Sequence, residues 1–453
     1  MRPVRGGDVI EFIRLPQPGA RREPWVLTEL DRANLTMVIR GTWIFRGEPD
    51  VERLRDGLAR TLALVPQLAG RMRRGRVVEP GDAGVPFTVA ESAGDTVADV
   101  CAAPARAGRF SPPLRPARIR RGSQAPLGVK VTRLRDGWVL GVRCAHACLD
   151  GRGFYSMVVA WSRACSGRPF SRPVVDQSLI PVVPGRAKAE AMRAAAEAGW
   201  RKVSPVSLVR LLPALLVGRL SERAPAVRFS PAALGRLREA ANREGGGGLS
   251  TNEALSAHLT RMCIALHRIP SGTPCGEVTV VDCRGRLASV PAEFAGNASF
   301  VIPSAGFAAG AGLGEVARRI HESLAPIVET PSRELLRQVS IGIEMMQHGA
   351  LRLPYDVVRV HAPRPTVTYV NNFSRLPIYE VDFGDEGRPV RPVLAIPHDL
   401  PDPVLIWPAP PETGGVEVFF TGRAARALRR LDPADPWWKQ LRQFDDPGEV
   451  PSA

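Results

Sequence analysis

The chain has 453 residues, 44% hydrophobic and 23% charged, and a formal net charge of +16. That apolar content buries a large core across two domains and excludes a disordered tail or a small disulfide-stapled module. The charge comes from 57 arginines against four lysines spread along the whole chain, the pattern of a high-GC, bacterial coding bias, so it does not by itself mark a nucleic-acid binder.

At the N-terminus, MRPVRGGDVIEFIRLP holds no apolar run of signal-peptide length, and no segment reaches membrane-spanning length, so a soluble, cytoplasmic chain is expected. Asp50 is placed to cap a helix whose Val51, Leu54, Leu58 and Leu62 share one face and which ends near Pro66. Two basic clusters, GRMRRGR at 70–76 and RIRRG at 118–122, suit a solvated face first, with phosphate binding as the lesser reading. The stretch LGVKVTRLRDGWVLGVRCAH, 127–146, reads as two alternating strands joined at Asp136-Gly137, a dipeptide that tolerates positive φ. His146 falls at the end of the second strand, on the face of Trp138, Leu140, Val142 and Cys144. After Gly151 the period turns helical, with Phe154, Met157, Val158 and Trp161 on one side.

Residues 171–226 carry an Ala/Glu/Arg helix at 186–202 and are broken by prolines, which makes them a crossover between a 1–170 domain and a 227–453 domain. Within the crossover, SLVRLLPALLVGRL at 207–220 is the most apolar helical piece; Arg210 and Pro213 interrupt it, so a buried segment is favoured over a membrane-surface helix. In the second half, Ser250 and Glu253 have capping-box spacing before the stripe Leu255, Leu259, Met262 and Leu266. Strand-like runs follow at 276–283, 297–302, 366–371 and 415–420, giving mixed α/β in both halves.

The seven cysteines are odd in number and form no CxxC pair, which argues for reduced thiols and against a zinc site; Cys144 and Cys148 beside His146 do not change this. A neutral imidazole at the tip of a buried strand can accept a proton near neutral pH, the requirement for a general base acting on a hydroxyl or amine. Asp150, beyond the corner, needs a cation or backbone donors, and Gly151 supplies backbone freedom for the turn. The Gly-x-Ser-x-Gly elbow, the Gly-x-x-x-x-Gly-Lys loop and His-Glu-x-x-His are missing, and the Gly-rich pieces at 245–248 and 310–314 lack dinucleotide-binding spacing.

The stretch AHACLDG resembles the His-x-x-x-Asp-Gly signature of the BAHD acyltransferases, and of the wider superfamily that includes chloramphenicol acetyltransferase and condensation domains. LALVPQLAGRM (62–72), VDCRGRL…VPAEFAGN (281–297), NNFSRLPIYEVDFGDEGRP (371–389) and GGVEVFF (414–420) are similar to further family segments in the same order. The resemblance implies two similarly folded α/β domains with the active site at their interface. It implies His146 as the general base and Asp150, Gly151, Asp382, Gly384, Arg284 and Arg286 as structural groups at the site, with Arg284 and Arg286 as candidate partners for the two aspartates and the sequence leaving open which arginine meets which. An oxyanion donor is also required, and Thr368, Asn371 and Asn372 are candidates from their place just before Asp-Phe-Gly. Ser250 and Thr251, at a helix start, are candidates for a CoA phosphate.

Two departures stand in the matched segments. Ala145 occupies the position where condensation domains carry a second histidine, which favours the BAHD side, and Asp385-Glu386-Gly387 replaces the family's Trp-Gly after Asp-Phe-Gly. The expected activity is transfer of an acyl group from acyl-CoA to a hydroxyl or amine of a small, specialised metabolite, by a monomer with no bound cofactor or metal and no nucleic-acid partner. The alternatives are the same chemistry on an acyl carrier protein and a catalytically silent binding scaffold.

Overall fold

In a computed structural model of the chain, the described residues are 2–3, 8–15, 23–79, 81, 83–180, 185–198, 200–203, 209, 226–329, 331–349, 352–353, 359–360, 364–384, 388–393, 404–432, 434–436, 439 and 444. The apolar piece at 207–220, Val209 excepted, and the replacement Asp385-Glu386-Gly387 lie outside them. Two compact units emerge. The first takes Met1–Ile180, Ser289–Ala298 and Leu376–Pro397; the second takes Pro181–Ala288, Ser299–Arg375 and His398–Ala453. Besides the crossover near residue 180, two short later segments therefore return to the first unit.

In the first unit, helix α1 (Glu29–Ala33) starts from a capping box: the Thr28 hydroxyl accepts from Asp31 N (3.2 Å) and the Asp31 carboxylate accepts from Thr28 N (2.8 Å). Helix α2 (Val51–Leu64) is capped by Asp50, whose side chain accepts from Arg53 N (3.0 Å), and buries Leu54, Leu58 and Leu62 as its periodicity requires. Such a cap contributes about 1 kcal/mol. Strands β1 (Val9–Ile13), β2 (Val38–Arg46), β3 (Val85–Glu91), β4 (Leu127–Arg133) and β5 (Gly137–Ala145) form a mixed sheet in the order Arg2–Pro3, β1, β3, β4, β5, β2, Arg391–Val393. Only β3 and β4 run parallel.

The hairpin between β4 and β5 forms as its alternation demands, but Gly137 serves differently from expectation. Neither Asp136 nor Gly137 takes a positive φ. Leu134 N instead donates to Gly137 O (2.7 Å), and a Cβ at Gly137 would run into the Phe45 carbonyl, so the glycine permits close strand approach rather than a left-handed turn.

One face of β5 carries Trp138, Leu140, Val142 and Cys144, all fully buried. The other places Val139 against Ile44, Val97, Val100 and Phe110. Trp138 stacks on Phe45 with ring centroids 4.1 Å apart. Helix α3 (Gly151–Cys165) then packs Phe154, Met157, Val158 and Trp161 inward.

In the second unit, the expected Ala-rich helix is α4 (Lys188–Glu197), shorter than the composition suggests. Helices α5 (Pro231–Gly245), α6 (Thr251–Leu266) and α7 (Leu313–Glu329) cover a mixed sheet. Its strands β6 (Val227–Phe229), β7 (Pro274–Asp282), β8 (Ser299–Pro303), β9 (Val367–Asn372), β10 (Val404–Pro408) and β11 (Val416–Phe420) run in the order β6-β11-β10-β9-β7-β8. Leu255, Leu259 and Met262 of α6 join Val370, Val404, Ile406 and Val418 of the sheet in one core. Each unit is thus a mixed sheet packed with helices, as the alternating periods predict. Among the described residues no helix is long and apolar enough to cross a membrane.

Candidate active site

Strand β5 ends at Ala145, where the ladder with β2 stops at the pair Val38–Ala145. The chain turns at once: His146 N donates to Met37 O (3.0 Å) and Cys148 N to Ala145 O (3.0 Å). This anchors the backbone of a half-buried imidazole at the strand tip.

Asp150 ends the corner as the N-cap of α3. Its Oδ1 accepts from Gly153 N (2.9 Å) and its Oδ2 from Ala298 N (3.0 Å), while its own N–H donates to Gly296 O (3.4 Å). With 1% exposure the carboxylate ties the start of α3 to the 289–298 return segment. Gly151 is the first helical residue and takes no positive φ, so the turn does not draw on a glycine's backbone freedom there.

The return segment delivers a residue that sequence reasoning did not single out. Asn297 Oδ1 lies 3.0 Å from His146 Nδ1, and Asn297 Nδ2 donates to His146 O (2.8 Å) and to Asp31 Oδ1 (2.7 Å). Asp31 Oδ2 accepts from Thr28 N (2.8 Å), Thr28 Oγ1 (2.9 Å) and Gln177 Nε2 (2.6 Å). Burial raises the Asp31 carboxyl to about 6, opposed by the hydrogen bonds from Asn297, Thr28 and Gln177. A partial signal was present in the sequence: Thr28-x-x-Asp31 is a capping-box pattern, and Asn297 closes the Gly-Asn of the matched stretch.

Both hydrogens of the Asn297 amide face acceptors, a carboxyl and a carbonyl, so its oxygen must face the imidazole. In the neutral ring the proton then sits on Nδ1, and Nε2 carries the lone pair. The arrangement can take one proton from an acceptor group. Cys144 and Cys148 are fully buried free thiols whose pKa burial raises, which keeps them protonated and unreactive. Among the described residues no group of His, Cys, Asp and Glu has the arrangement of a metal site.

The Asp-Phe-Gly segment also belongs to the first unit. Phe383 is fully buried and meets the rings of Phe45, Trp138 and Trp161 edge-on at 5.7, 6.1 and 5.4 Å. Gly384 has φ +87, and a Cβ there would press on Ser166 Cβ at 3.1 Å, so any side chain would be strained. The arginines at Asp382 are Arg168 (2.6 Å) and, more distantly, Arg388 (3.9 Å), not the expected Arg284 or Arg286. The reason is local: Asp382 N donates to Ser162 Oγ (3.2 Å), which sets the segment against the end of α3, where Arg168 follows. Burial alone would raise the Asp382 carboxyl, but the Gly384 amide, Arg168 and Arg388 outweigh it and hold it below the usual range.

Within the second unit, Arg284 meets Asp282 (3.0 Å) and Arg286 donates to Asp282 O (2.8 Å), so both brace the end of β7. Thr368 stands opposite Glu277 in the ladder and is buried. Asn372 donates to Asn252 Oδ1 (2.6 Å) and accepts from Ser374 N (2.8 Å), which commits its amide to α6 and to the turn after β9; Asn371 beside it is half-buried, as Asn372 is. The Ser250 hydroxyl and N–H both engage the Glu253 carboxylate (2.8 and 2.6 Å), so the anion at this helix start is the chain's own; Thr251 is half-buried beside it.

Comparisons with known proteins agree over most of the chain. The profile of the Transferase family matches residues 27–425. Tryptamine hydroxycinnamoyltransferase 2 of Oryza sativa subsp. japonica is 26% identical over 421 residues, 87% of this chain and 89% of that protein. Omega-hydroxypalmitate O-feruloyl transferase of Arabidopsis thaliana is 24% identical over 408 residues, 85% of this chain and 83% of that protein. Among solved structures, F. graminearum TRI101 complexed with coenzyme A and T-2 mycotoxin superposes with a TM-score of 0.73 at 17% identity, covering 92% of this chain and 99% of that one, a likeness of fold.

Proposed function

Because the chain belongs to the Transferase family, we propose that it is an acyltransferase that moves an acyl group from acyl-CoA to a hydroxyl or amine of a small, specialised metabolite, with His146 as general base. The observation that carries this reading is the Asn297 amide, whose oxygen faces His146 Nδ1 while its nitrogen serves Asp31 and the His146 carbonyl. Nε2 then takes the acceptor's proton as the acceptor oxygen or nitrogen attacks the thioester carbonyl. The tetrahedral intermediate collapses, the C–S bond breaks, and the proton returns from the imidazolium to the leaving thiolate. No covalent enzyme intermediate is needed.

Asp150 holds the corner, and Asp382 and Gly384 hold the segment that seats Phe383 in the aromatic cluster. Of the oxyanion candidates, Asn371 is the one we favour, since Asn372 is committed to Asn252 and Ser374 and Thr368 is buried in the ladder. The two curated relatives are named for an amine and a hydroxyl acceptor, which supports leaving both classes open. The buried reduced thiols suit a cytoplasmic enzyme, working as a monomer.

The test compares kcat/KM for one acyl group presented on CoA, on a short pantetheine thioester and on an acyl carrier protein, with acceptors screened by product mass. CoA far above pantetheine is the expected result, because the 3′-phosphate and pyrophosphate give an arginine-rich protein its handle. A carrier protein far superior to CoA would assign the donor to the carrier instead, and no thiol release with any donor would leave a binding scaffold.

A further inference from the structure

Asp31 has 0% exposure, contacts no side chain of the proposed reaction except through Asn297, and accepts four hydrogen bonds. Three of the four come from groups that can only donate here: the Thr28 N–H and the amide nitrogens of Gln177 and Asn297. A helix cap needs only the Thr28 contacts. Gln177 arrives from 146 residues away and Asn297 from 266, so the chain spends two distant side chains on a carboxylate that the cap alone does not require.

From this geometry we infer that Asp31 is a positioning residue for His146: its carboxylate fixes the Asn297 amide so that the imidazole proton stays on Nδ1 and Nε2 faces the reaction as the base. The inference rests on the acyl-transfer reading for its kinetic consequence, though not for its structural one. If the Asn297 amide flipped, its oxygen would face both the Asp31 carboxylate and the His146 carbonyl, and its NH2 would face Nδ1. Without Asp31 only the carbonyl opposes the flip. A flipped amide donates to Nδ1, moves the ring proton to Nε2 and removes the base.

The groups around Asp31 define its titration. On its own helix the nearest charges are Glu29 and Arg32, which pair with each other at 2.7 Å. From the strand corner come His146 and the buried Cys148 thiol, whose pKa is raised by burial first and then by Cys144 and Asp31. Gln177 and Asn297 bring no charge. Gln177 is the one donor of the set that lies outside the cap and does not touch His146, so its removal should let the carboxyl protonate at higher pH without disturbing the ring directly.

Two variants and a spectroscopic readout test this. In the wild type, 15N NMR of His146 should show the Nδ1–H tautomer. Asp31→Asn should lower kcat about tenfold to hundredfold at neutral pH with KM for donor and acceptor within about threefold, and should mix the tautomers. Gln177→Ala should keep neutral-pH turnover within about threefold and move the acid limb of kcat to higher pH by about half a unit to one unit. A merely structural Asp31 would lower the melting temperature in both variants while kcat per folded molecule, the acid limb and the 15N pattern stayed as in the wild type, and that result overturns the inference. If His146→Ala kept full turnover, the acyl-transfer reading would fail instead, while the 15N comparison of Asp31→Asn with wild type would still decide the role of Asp31.

Discussion

His146 Nδ1 lies 3.0 Å from Asn297 Oδ1, although 151 residues separate them. One contact decides which nitrogen of the ring can act as base, because the amide nitrogen is already committed to two acceptors. Asn297→Leu should therefore lower kcat about tenfold to hundredfold with little change in KM, since the ring loses its orienting acceptor. It should also cost about 1–3 kcal/mol of stability, because Asp31 loses a donor while remaining buried. Steady-state kinetics beside thermal melting reads both; a fall in stability with intact kcat would mean that the amide does not orient the ring.

Asp150 holds two backbone donors on its two oxygens, Gly153 N and Ala298 N. In Asp150→Asn the amide can still cap α3, but its NH2 must then point at the Ala298 N–H. Donor against donor in a buried site costs about 1–3 kcal/mol, and the corner that carries His146 loosens with it. Activity and melting temperature should fall together. A variant that melted like the wild type but had lost turnover would make Asp150 a participant in the chemistry.

The Asp-Phe-Gly segment should be anchored by its phenylalanine. Phe383→Ala should destabilise by about 3–5 kcal/mol, the cost of emptying a fully buried aromatic site. Asp382→Ala should cost about 1 kcal/mol, because Arg168 is 53% exposed and solvent screens the pair. Denaturant midpoints of the two variants give the order directly, and the reverse order would make the ion pair the anchor.

Glu277 in β7 is 1% exposed, and neither carboxyl oxygen has a hydrogen-bond partner among the described residues. Burial pushes its pKa well above the ordinary glutamate value, so the folded chain keeps a proton that the unfolded chain loses. The folded state then binds more protons than the unfolded one at every pH between the two values, and stability falls as pH rises, by at most about 1.4 kcal/mol per pH unit. Glu277→Gln removes that dependence. The melting temperature of the variant relative to wild type should rise as pH climbs above the ordinary glutamate range, and a constant difference would show that Glu277 is ionised in the fold.

Much of this was legible in the sequence because it depends on local periodicity and spacing. The stripe on α2, the caps at Asp50 and Ser250, the hairpin before His146 and the inward face of α3 all follow from residues within one or two turns of each other. The partners of the site did not follow, because they are long-range. Nothing near His146 announces Asn297, and nothing near Asp382 announces Arg168, which lies 214 residues earlier. The sequence offers Arg284 and Arg286 as arginine candidates from a matched stretch and leaves their aspartate open, and only the fold shows that Asp382 is set against the end of α3, beside Arg168. Gly137 shows a subtler limit, since a glycine in an Asp-Gly pair serves a turn or a close strand approach equally well, and only the Phe45 carbonyl beside it decides.

Turnover of His146→Ala tests most directly whether His146 is the base for acyl transfer. With an acyl-CoA and an accepted hydroxyl or amine substrate, thiol release by the variant should fall by about two to four orders of magnitude while donor affinity, measured by calorimetry, stays within about twofold. Wild-type thiol release from the variant, with a correctly folded chain, would contradict the account.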